Sequence, residues 1–382
     1  SATIGKDELR QGGCPVRNVL YLLNYAGKAG TERYVETLIR YLNHREINAF
    51  FAYHEGGLLV ERLEELGVPT RQIELRSRFD LRAARTLARL CEEWSIDLVH
   101  CQFLREHYIA LLAKQYNKHI RVVYTNHFIL PNNAVTRFTN RLLDRRQDQM
   151  IAVCTRGREQ LIANGWKGDR IRVIFNGVDL EAWAGPRSES TLRQELGLPE
   201  DRFVMLCASR FADDKGHRYL IHSVKRLTEL TSVPFTLVLA GDGPLLEETK
   251  QQVRDLGLED KVVFLGFRKD IKNLYKGSDL YVNSSRHEAL SFLIIEAMAA
   301  GLPVIATDIA GNPDIVNDEA GCGLLVEYDN PDSMAVAIKC FLEEPDFLSK
   351  CREGALRTVA EKFEVHKMVE DTAKVYELAC AR

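Results

Sequence analysis

The alternation of two kinds of segment along the whole chain constrains the fold more than any other feature of this sequence. Short runs rich in β-branched and apolar residues alternate with longer amphipathic stretches of helical periodicity. This alternation is typical of parallel β-sheets whose strands are joined by crossover helices. Because 382 residues exceed what one hydrophobic core usually supports, we expect two such α/β domains.

The predicted strands fall into two sets, and each set predicts one doubly wound sheet. The first comprises residues 18–23, 49–53, 98–101, 121–125, 150–153 and 172–175, with helices at 31–42 and 80–94. The second comprises residues 203–208, 235–240, 262–265, 280–283 and 304–307, and a last helix is predicted at 364–378. Residues 185–200, rich in Gly, Pro and Ser, are predicted to be a linker between the sets.

Composition excludes several classes of protein. A hydrophobic content of 46% with 27% charged residues is that of a globular chain. No apolar run reaches the roughly 18–20 residues that span a bilayer. The nine cysteines show no C-x-x-C pair, which predicts reduced thiols, no metal site and a cytoplasmic protein. Residues 1–180 carry a net charge of +7 and residues 181–382 one of −10, too mild a balance to predict nucleic-acid binding.

Strand-end loops of the second half carry the polar side chains that suit a phosphorylated ligand. Arg210 and Lys215 follow the strand at 203–208, and Gly241 begins a tight turn after the next strand. Ligands bind at the carboxyl ends of the strands in such sheets, and two cations can hold a diphosphate. A solvated loop explains the two cations equally well, and a purely structural turn explains Gly241.

Two carboxylates eight residues apart form the most informative pattern. Glu288 follows the strand at 280–283, and Glu296 lies in an apolar helix that begins near Ser291. The backbone N–H groups of Ser291, Phe292 and Leu293 can face an anion, while the carboxylates can accept hydrogen bonds from sugar hydroxyls. The alternatives are a structural salt bridge for Glu296 and a stabilising helix-start charge for Glu288.

In the first half, Gly27 and Gly30 lie between the first strand and the helix at 31–42. Their spacing does not match the dinucleotide fingerprint, so a structural turn explains them equally well. Two series of arginines lie at helical spacing and indicate either solvated faces or an anionic partner, namely a phosphorylated acceptor or the inner membrane leaflet. They are Arg78, Arg82, Arg85, Arg89 and Arg137, Arg141, Arg145.

Taken in order, the motifs resemble those of retaining glycosyltransferase family 4, the group 1 glycosyl transferases with a GT-B fold. The segment from Glu288 to Pro303 resembles the two-glutamate signature of that family. Further resemblances cover nearly the whole chain: residues 29–33 to a glycine-rich loop, 97–100 to a D-h-V-H strand, 176–179 to N-G-V-D, 209–216 to a G-R-x-x-x-x-K-G loop and 240–244 to G-D-G-P. The resemblance implies two Rossmann-like doubly wound domains that face a central cleft.

The resemblance implies a role for each matching residue. Arg210 and Lys215 would bind the donor diphosphate, with backbone N–H groups near Gly30; Glu296 would hold the ribose and Glu288 the transferred sugar. His127 matches the histidine that faces the reacting sugar, although a packed loop histidine is the alternative. The implied catalytic residues are His127, Arg210, Lys215 and Glu288, and the implied donor-binding residues are Gly30, Arg210, Lys215, Gly241, Phe267, Glu288, Ser291, Phe292, Leu293 and Glu296.

The sequence also departs from the family pattern. Ala29 replaces the first of two adjacent glycines, Gln102 stands where many members have a second histidine, and Asp314 stands where Glu is usual. Residues 289–291 replace the common Gly-Phe-Gly, so sugar preference is not carried over. None of these changes removes a cation or a carboxylate that the chemistry needs.

The resemblance predicts a hexosyltransferase that moves sugar from a UDP- or GDP-sugar to a hydroxyl acceptor with retention of anomeric configuration and without a metal or other cofactor. Residues 1–180 with the helix at 364–382 would bind the acceptor, and residues 181–363 the donor. The product would be an envelope polysaccharide, a glycolipid or a small glycoside. A nucleotide-sugar epimerase of the same architecture and a catalytically silent sugar-nucleotide-binding module are the alternatives. The expected partners are donor, acceptor and an anionic membrane surface at the inner face, but no nucleic acid.

Overall fold

The structure is a computed structural model that describes residues 18–27, 30–42 and 47–381, and it divides into two compact units. Unit 1 comprises the described residues up to Asn176 and those from Val365 onward, and unit 2 comprises Gly177–Glu364. The division after Asn176 lies four residues before the boundary expected at residue 180.

Unit 1 contains a parallel sheet with the strand order β3-β2-β1-β4-β5-β6-β7. Its strands are β1 Asn18–Tyr25, β2 Asn48–Glu55, β3 Thr70–Gln72, β4 Leu98–Cys101, β5 Arg121–Asn126, β6 Gln149–Ala152 and β7 Ile171–Val173. Its helices before residue 177 are α1 Gly30–Leu42, α2 Leu58–Glu65, α3 Leu81–Glu93, α4 Leu104–Ala113, α5 Ala134–Leu143 and α6 Thr155–Ala163.

Unit 2 contains a second parallel sheet, with the strand order β10-β9-β8-β11-β12-β13. Its strands are β8 Phe203–Ala208, β9 Phe235–Ala240, β10 Val262–Gly266, β11 Leu280–Asn283, β12 Val304–Thr307 and β13 Gly323–Val326. Its helices are α7 Leu180–Trp183, α8 Leu192–Glu195, α9 His217–Leu230, α10 Leu246–Asp255, α11 Ile271–Gly277, α12 Phe292–Ala299, α13 Asn312–Ile315, α14 Pro331–Glu343 and α15 Pro345–Lys362. The last helix, α16 Val365–Cys380, belongs to unit 1.

All eleven strands predicted from the sequence are present within one or two residues of their predicted ends, because each is an apolar run that the sheet buries. The sequence analysis missed β3 and β13. Strand β3 is three residues long and contains no apolar residue. Strand β13 is a short apolar run that begins with a glycine, and its first three residues are only half-buried, so its pattern is a weak signal.

The linker predicted at residues 185–200 is wrong, since this segment packs on unit 2 and contains α8. Ser190 Oγ donates a hydrogen bond to the backbone oxygen of Asn273 at 2.8 Å. Arg193 Nη2 lies 2.6 Å from Asp279 Oδ2, and Arg187 Nη2 lies 2.8 Å from the other oxygen of the same carboxylate. The Gly, Pro and Ser content therefore marks irregular backbone rather than flexibility.

Helix α3 shows how local sequence sets the ends and faces of the crossover helices. Asp80 is its N-cap and accepts hydrogen bonds from the backbone N–H groups of Arg82 and Ala83, both at 3.0 Å. The bond from Ala83 is the main reason that the pKa of Asp80 lies below its usual value. Ala84 and Leu87 are buried against the sheet, whereas Leu81 in the first turn is 54% exposed.

The two sheets share one topology, and that topology predicts where ligands bind. In each sheet the early strands are added on one side of the first strand and the later strands on its other side. The direction of winding therefore reverses between β1 and β4 in unit 1 and between β8 and β11 in unit 2. Ligands of such sheets bind beside the carboxyl ends of the strands at this reversal. In the described part of the chain, no helix is long and apolar enough to cross a membrane.

Candidate functional site

In unit 2 the loop after β8 is held by the turn after β9. The Phe211 N–H donates to the Asp242 backbone oxygen at 2.9 Å, and the Leu245 N–H donates to the Phe211 oxygen at 3.0 Å. Gly241 has φ 146°, and a Cβ there would lie 2.0 Å from the Ser209 oxygen. Glycine is therefore required at 241 because the two loops touch through their backbones.

The loop after β8 is also tied to the loop after β11, across the reversal of the unit 2 sheet. Ser284 Oγ donates to the Lys215 backbone oxygen at 2.9 Å, and the Arg286 N–H donates to the Asp214 oxygen at 2.8 Å. Gly216 lies in the left-handed region at φ 67°, and a Cβ there would lie 2.0 Å from the Ser284 oxygen. These contacts fix the position of Lys215 relative to the residues that follow β11.

Lys215 and Glu288, seventy-three positions apart in the chain, form an ion pair at this junction. Lys215 Nζ donates to Glu288 Oε1 at 2.8 Å, and the same oxygen accepts a hydrogen bond from Ser285 Oγ at 3.0 Å. Glu288 Oε2 accepts no hydrogen bond from any residue that the structure describes. The loop thus holds one carboxylate oxygen and leaves the other available to a ligand hydroxyl.

Electrostatics keep Lys215 charged in spite of its partial burial. Burial alone opposes the charge, but Glu288 and Asp214 outweigh it, and the pKa of Lys215 is raised above its ordinary value. Asp214 Oδ2 lies 3.4 Å from the ammonium group. A cation so held is suited to an anionic ligand, because its charge needs no reorganisation when the ligand binds.

Two further predicted donor-site residues lie at the same edge and are exposed. Arg210, in the loop after β8, forms no side-chain hydrogen bond or ion pair with the described residues. Phe267 directly follows β10 and is 66% exposed, and the backbone oxygen of the preceding Gly266 accepts the N–H of Gly241 at 2.7 Å. Both side chains are therefore open to solvent beside the Lys215 loop.

Helix α12 places the remaining predicted donor-site residues. Ser291 is its N-cap residue and is buried, but its hydroxyl makes no capping hydrogen bond, and Phe292 and Leu293 form the half-buried first turn. Glu296 is 1% exposed in the second turn. After burial and the charge of Cys207, the charges of Glu288 and Glu296 also contribute to raising the pKa of Tyr281 on β11.

In unit 1 the structure holds His127 in one orientation. His127 Nε2 lies 2.9 Å from Gln102 Oε1, an oxygen that can only accept, so Nε2 carries the proton. The ring also packs edge-on against Tyr34, with centroids 4.9 Å apart. Burial lowers the pKa of His127 to about 3, so the imidazole is neutral near pH 7.

The position of Gln102, where many family members have a second histidine, thus has a visible consequence: the amide orients His127. Gly30 is the first residue of α1, and a Cβ there would meet nothing within 4 Å. Unlike Gly241, Gly30 is not required by packing within unit 1. Ala29 lies outside the described residues.

A buried polar network connects α16 to the unit 1 sheet. His100 Nδ1 lies 2.7 Å from the Tyr376 hydroxyl, and His100 Nε2 lies 2.7 Å from Thr125 Oγ1. The Tyr376 hydroxyl also bonds to that of Tyr21 at 3.2 Å. Burial, followed by the charge of His127, lowers the pKa of His100 to about 3. This network fixes the C-terminal helix of the chain on unit 1.

Both predicted series of arginines lie on exposed surfaces, and most of the second series lies on a helix that also exposes apolar side chains. All of the seven arginines predicted from helical spacing are exposed. Helix α5 has an inverted pattern: its apolar Val135, Phe138 and Leu142 are 75%, 61% and 63% exposed, while its polar Thr136 and Asn140 are buried. We call the surface of these three apolar residues the α5 face. Arg137 and Arg141 lie on the same helix as the α5 face, and Arg145 follows shortly after the helix ends.

The sequence analysis missed the roles of several residues that shape these sites. Ser285 and Asp214 position the Lys215–Glu288 pair, and Gln102 orients His127. Glu106 on α4 was also missed, although it is buried at the carboxyl end of the unit 1 sheet. Ser285, Asp214 and Gln102 could have been indicated only by their position next to recognised motifs. No signal in the sequence marks Glu106. In the described part of the chain, no three His, Cys, Asp or Glu side chains lie close enough to hold a metal.

Comparison with known proteins gives matches along most of the chain. The family model described as Glycosyl transferases group 1 matches residues 188–358, and that described as Glycosyltransferase Family 4 matches residues 29–182. An uncharacterized glycosyltransferase of Methanocaldococcus jannaschii is 31% identical over 216 residues, 55% of each chain. The N-acetyl-alpha-D-glucosaminyl L-malate synthase of Bacillus anthracis is 26% identical over 304 residues, 78% of this chain and 79% of that one.

An Escherichia coli galactosyltransferase that acts on N-acetylglucosamine-diphosphoundecaprenol is 31% identical over 210 residues, 54% of each chain. The chain therefore spans about half the length of two of these relatives. Among solved structures, a glycosyltransferase of Rickettsia africae has a TM-score of 0.86 at 22% identity over 95% of this chain and 98% of that one. Anabaena HepE in complex with UDP has a TM-score of 0.83 at 24% identity over 94% and 98%. These likenesses confirm the predicted fold class, an α/β GT-B chain with two Rossmann-like domains.

Proposed function

The chain belongs to the group 1 glycosyl transferases of family 4, and on that premise we propose that it transfers a hexosyl group from a nucleotide-diphosphate sugar to a hydroxyl acceptor. The observation that carries the proposal is the Lys215–Glu288 pair at the reversal of the unit 2 sheet. It places a cation for a diphosphate and a carboxylate for a sugar within one hydrogen bond of each other. A binding site for either group alone would not need both.

The proposed chemistry follows from the charges that develop during transfer. Positive charge grows on the anomeric carbon while negative charge grows on the departing diphosphate. Lys215 and Arg210, together with the first turn of α12, stabilise the leaving group, and this is the main electrostatic task. Glu288 binds hydroxyls of the transferred sugar through Oε2, while Glu296 binds the ribose. Gly241 allows the turn after β9 to contact the loop after β8. Phe267 is proposed to contact the base.

We further propose retention of anomeric configuration, with the donor phosphate accepting the acceptor proton and no carboxylate nucleophile. His127 suits a binding role rather than proton transfer. Its Nε2–H is donated to Gln102, and its Nδ1 has no hydrogen-bond partner among the described residues, so Nδ1 can accept a sugar hydroxyl. A neutral imidazole with a pKa of about 3 is a poor general base at pH 7.

Uridine is the proposed base and glucose the first sugar to test, because the Anabaena HepE structures contain UDP or UDP-glucose. The relatives reported above are named as transferases or a synthase, which favours transfer over epimerisation. Unit 1, which carries the His127 loop, is the proposed acceptor domain, and unit 2 is the proposed donor domain.

Product analysis tests the proposal. The purified chain is incubated with UDP- and GDP-hexoses and a panel of hydroxyl acceptors, and the products are separated and weighed by mass spectrometry. A new glycoside with one equivalent of free nucleotide diphosphate is expected. An isomerised donor sugar without transfer would indicate an epimerase, and an unchanged donor would contradict the proposal. Retention is read from the anomeric coupling constant of the product.

An anionic membrane surface is the second proposed partner. Support comes from the α5 face, because exposed Val135, Phe138 and Leu142 beside three arginines are what an anionic lipid surface attracts. The chain would then act as a peripheral protein at the inner face of a membrane. Co-sedimentation with vesicles that contain or lack anionic lipid tests this. Phe138→Ser with Leu142→Ser should abolish sedimentation, while Val336→Ser, which removes a 53% exposed apolar residue from unit 2, should not. Equal sedimentation with both lipids would contradict it.

A further inference from the structure

A cavity of about 460 Å³ lies within unit 1, at the carboxyl ends of β1 and β4, where the winding of that sheet reverses. Its wall includes the end of β1, the first turn of α4 and the segment that leads from β5 to α5. The volume is within the range of small-molecule sites. The polar side chains considered below are Asn24, Arg78, Arg105 and Glu106.

Glu106 on this wall has one carboxylate oxygen whose bonding is incomplete. The side chain is 0% exposed, and its Oε1 accepts the backbone N–H of Asn24 at 2.5 Å. Its Oε2 is buried with no hydrogen-bond partner in the described part of the chain. A buried polar atom without a partner is costly, and a bound ligand or water is one explanation for its retention.

The ionisation of Glu106 is compatible with a ligand contact. Burial raises the pKa of Glu106 to about 7, although the backbone N–H groups of Glu106 itself and of Asn24, followed by the charge of Arg105, oppose the shift. Near neutral pH the group can therefore either accept a hydrogen bond from a hydroxyl or donate one to an oxygen. In either form Oε2 can form a hydrogen bond with a polar ligand group.

Two guanidinium groups on the same wall form no ion pair with the described residues. Arg105 Nη1 donates to Asn24 Oδ1 at 2.9 Å and to the Leu75 backbone oxygen at 3.2 Å, which are both neutral acceptors. Arg78 Nη1 approaches only Thr136 Oγ1, at 3.5 Å. Neither arginine forms an ion pair with a carboxylate of the described residues. Two cations beside one cavity favour an anionic ligand group, which arginine binds through two parallel hydrogen bonds.

Aromatic rings complete the wall and suit the apolar face of a ring-shaped ligand. Phe103 and Phe128 contact each other with centroids 5.6 Å apart, and Trp166 is almost fully buried. Such rings contribute large contact areas with little loss of side-chain freedom. The cavity thus combines a flat apolar surface, a carboxyl group and two cations.

We propose that this cavity is the acceptor pocket and that the acceptor is a hydroxyl-bearing compound with a phosphate or carboxylate group, which Arg78 and Arg105 bind while Glu106 contacts a hydroxyl. The inference rests on the proposed function, because only a transferase needs an acceptor. It narrows the acceptor from any hydroxyl compound to an anionic one.

Calorimetric titration of the full chain tests the inference with matched pairs of probes. Glucose 6-phosphate and glucuronate are the anionic probes, and glucose is their neutral counterpart. We expect the anionic probes to bind at least tenfold more tightly than glucose. Arg78→Gln and Arg105→Gln should each weaken anion binding at least tenfold, and Glu106→Gln should weaken all three probes severalfold. Arg89→Gln, which removes an exposed arginine outside the cavity, should change binding less than twofold.

Because Arg105 also supports Asn24, the exposed Arg78 keeps the test valid if Arg105→Gln does not fold. Vesicles that contain phosphatidic acid are then added as competitors of the anionic probes. Competition indicates that the pocket accepts a lipid phosphate, and its absence indicates a free anionic compound. Release of UDP from UDP-glucose in the same samples monitors the donor site. If the donor is turned over but no anionic probe binds more tightly than glucose, this inference is wrong and the proposed function stands. If none of the UDP- and GDP-hexoses is bound or turned over, the proposed function itself fails.

Discussion

The two units have the same strand order around their reversal points, yet the polar contacts that their strand ends form differ in charge. In unit 2 the loops after β8 and β11 bring a lysine and a glutamate together as a partly exposed ion pair. In unit 1 the strands β4 and β5 bring His100 and Thr125 together in a buried, neutral network. Topology therefore decides where a ligand site can form, and the loop residues decide what charge it presents.

The difference also assigns distinct tasks to the two units. A preformed charge pair suits a donor whose diphosphate gains charge during the reaction. A neutral network suits a domain that must hold α16 and orient His127. The following predictions test this contrast, beginning with the largest expected effect.

Lys215→Ala should lower kcat/KM for the donor by a factor on the order of 10²–10³, because it removes a preorganised cation from the leaving group. Glu288→Gln, which keeps the hydrogen bond from Ser285, should lower kcat/KM by less. The control is Lys350→Ala, which removes an exposed lysine from α15. Steady-state kinetics with UDP-sugars give the ratios, and circular dichroism verifies folding. A Lys215→Ala enzyme with full kcat/KM would disprove the proposal that the charge of Lys215 in unit 2 stabilises the leaving group.

Acid should unfold unit 1 before unit 2. His100, His107 and His127 have folded pKa values of about 3, so below the ordinary pKa of about 6.5 only the unfolded chain takes up their protons. Each histidine then costs about 2 kcal/mol of stability at pH 5. Proton uptake by Glu106, whose pKa is raised to about 7, offsets about 2 kcal/mol of this total, because it favours the folded state as the pH falls.

In unit 2 only one histidine, His217, has a pKa lowered in this way, to about 4, among the residues that the structure describes. The expected net loss at pH 5 is therefore about 4 kcal/mol in unit 1 and about 2 kcal/mol in unit 2. Hydrogen exchange measured by mass spectrometry at pH 7 and pH 5, corrected for intrinsic rates, separates the two units. Equal loss of protection in both units would contradict the prediction.

Tyr376→Phe should destabilise unit 1 by about 1–3 kcal/mol, since it leaves His100 Nδ1 and the Tyr21 hydroxyl without their buried partner. Exchange protection of α16 and of the unit 1 strands reports the change, and unit 2 provides the internal reference. Affinity for UDP should remain within twofold of the original. Unchanged protection of α16 would show that the network does not hold this helix.

The smallest expected effect is that of a chelator. The proposed donor site uses Lys215 and Arg210 where other enzymes use Mg²⁺, and Asp213 is paired with Arg286 at 2.9 Å. Incubation with EDTA should therefore change kcat by less than twofold. A loss of activity that Mg²⁺ or Mn²⁺ restores would show that the cations of unit 2 are insufficient by themselves.

Much of the fold could be predicted because the buried strands are short apolar runs that recur along the sequence between helical segments. The exact match at residues 98–101 and 203–208 illustrates this. Strands β3 and β13 and the structured segment at 185–200 could not be predicted, since their stability comes from partners distant in the chain. Arg193, for example, depends on Asp279, eighty-six positions away.

For the candidate site, the sequence predicted individual residues. The order of the motifs identified Lys215, Glu288 and His127, but not the contacts between them and their neighbours. The sequence did not indicate that Lys215 and Glu288 lie 2.8 Å apart or that Gln102 fixes the tautomer of His127. Glu106 carried no signal, because only its burial makes it unusual.

By itself, the sequence determined the alternating strands and helices, the two-domain architecture and the family, because hydrophobic periodicity and motif spacing are local properties of a chain. Only the tertiary structure decided which polar groups meet and which are removed from water. Hydrogen bonding and desolvation depend on distances between residues far apart in the sequence, as with His100 and Tyr376, which are 276 positions apart. The charge of the donor site and the neutrality of the unit 1 network therefore emerge only when the strands are brought side by side.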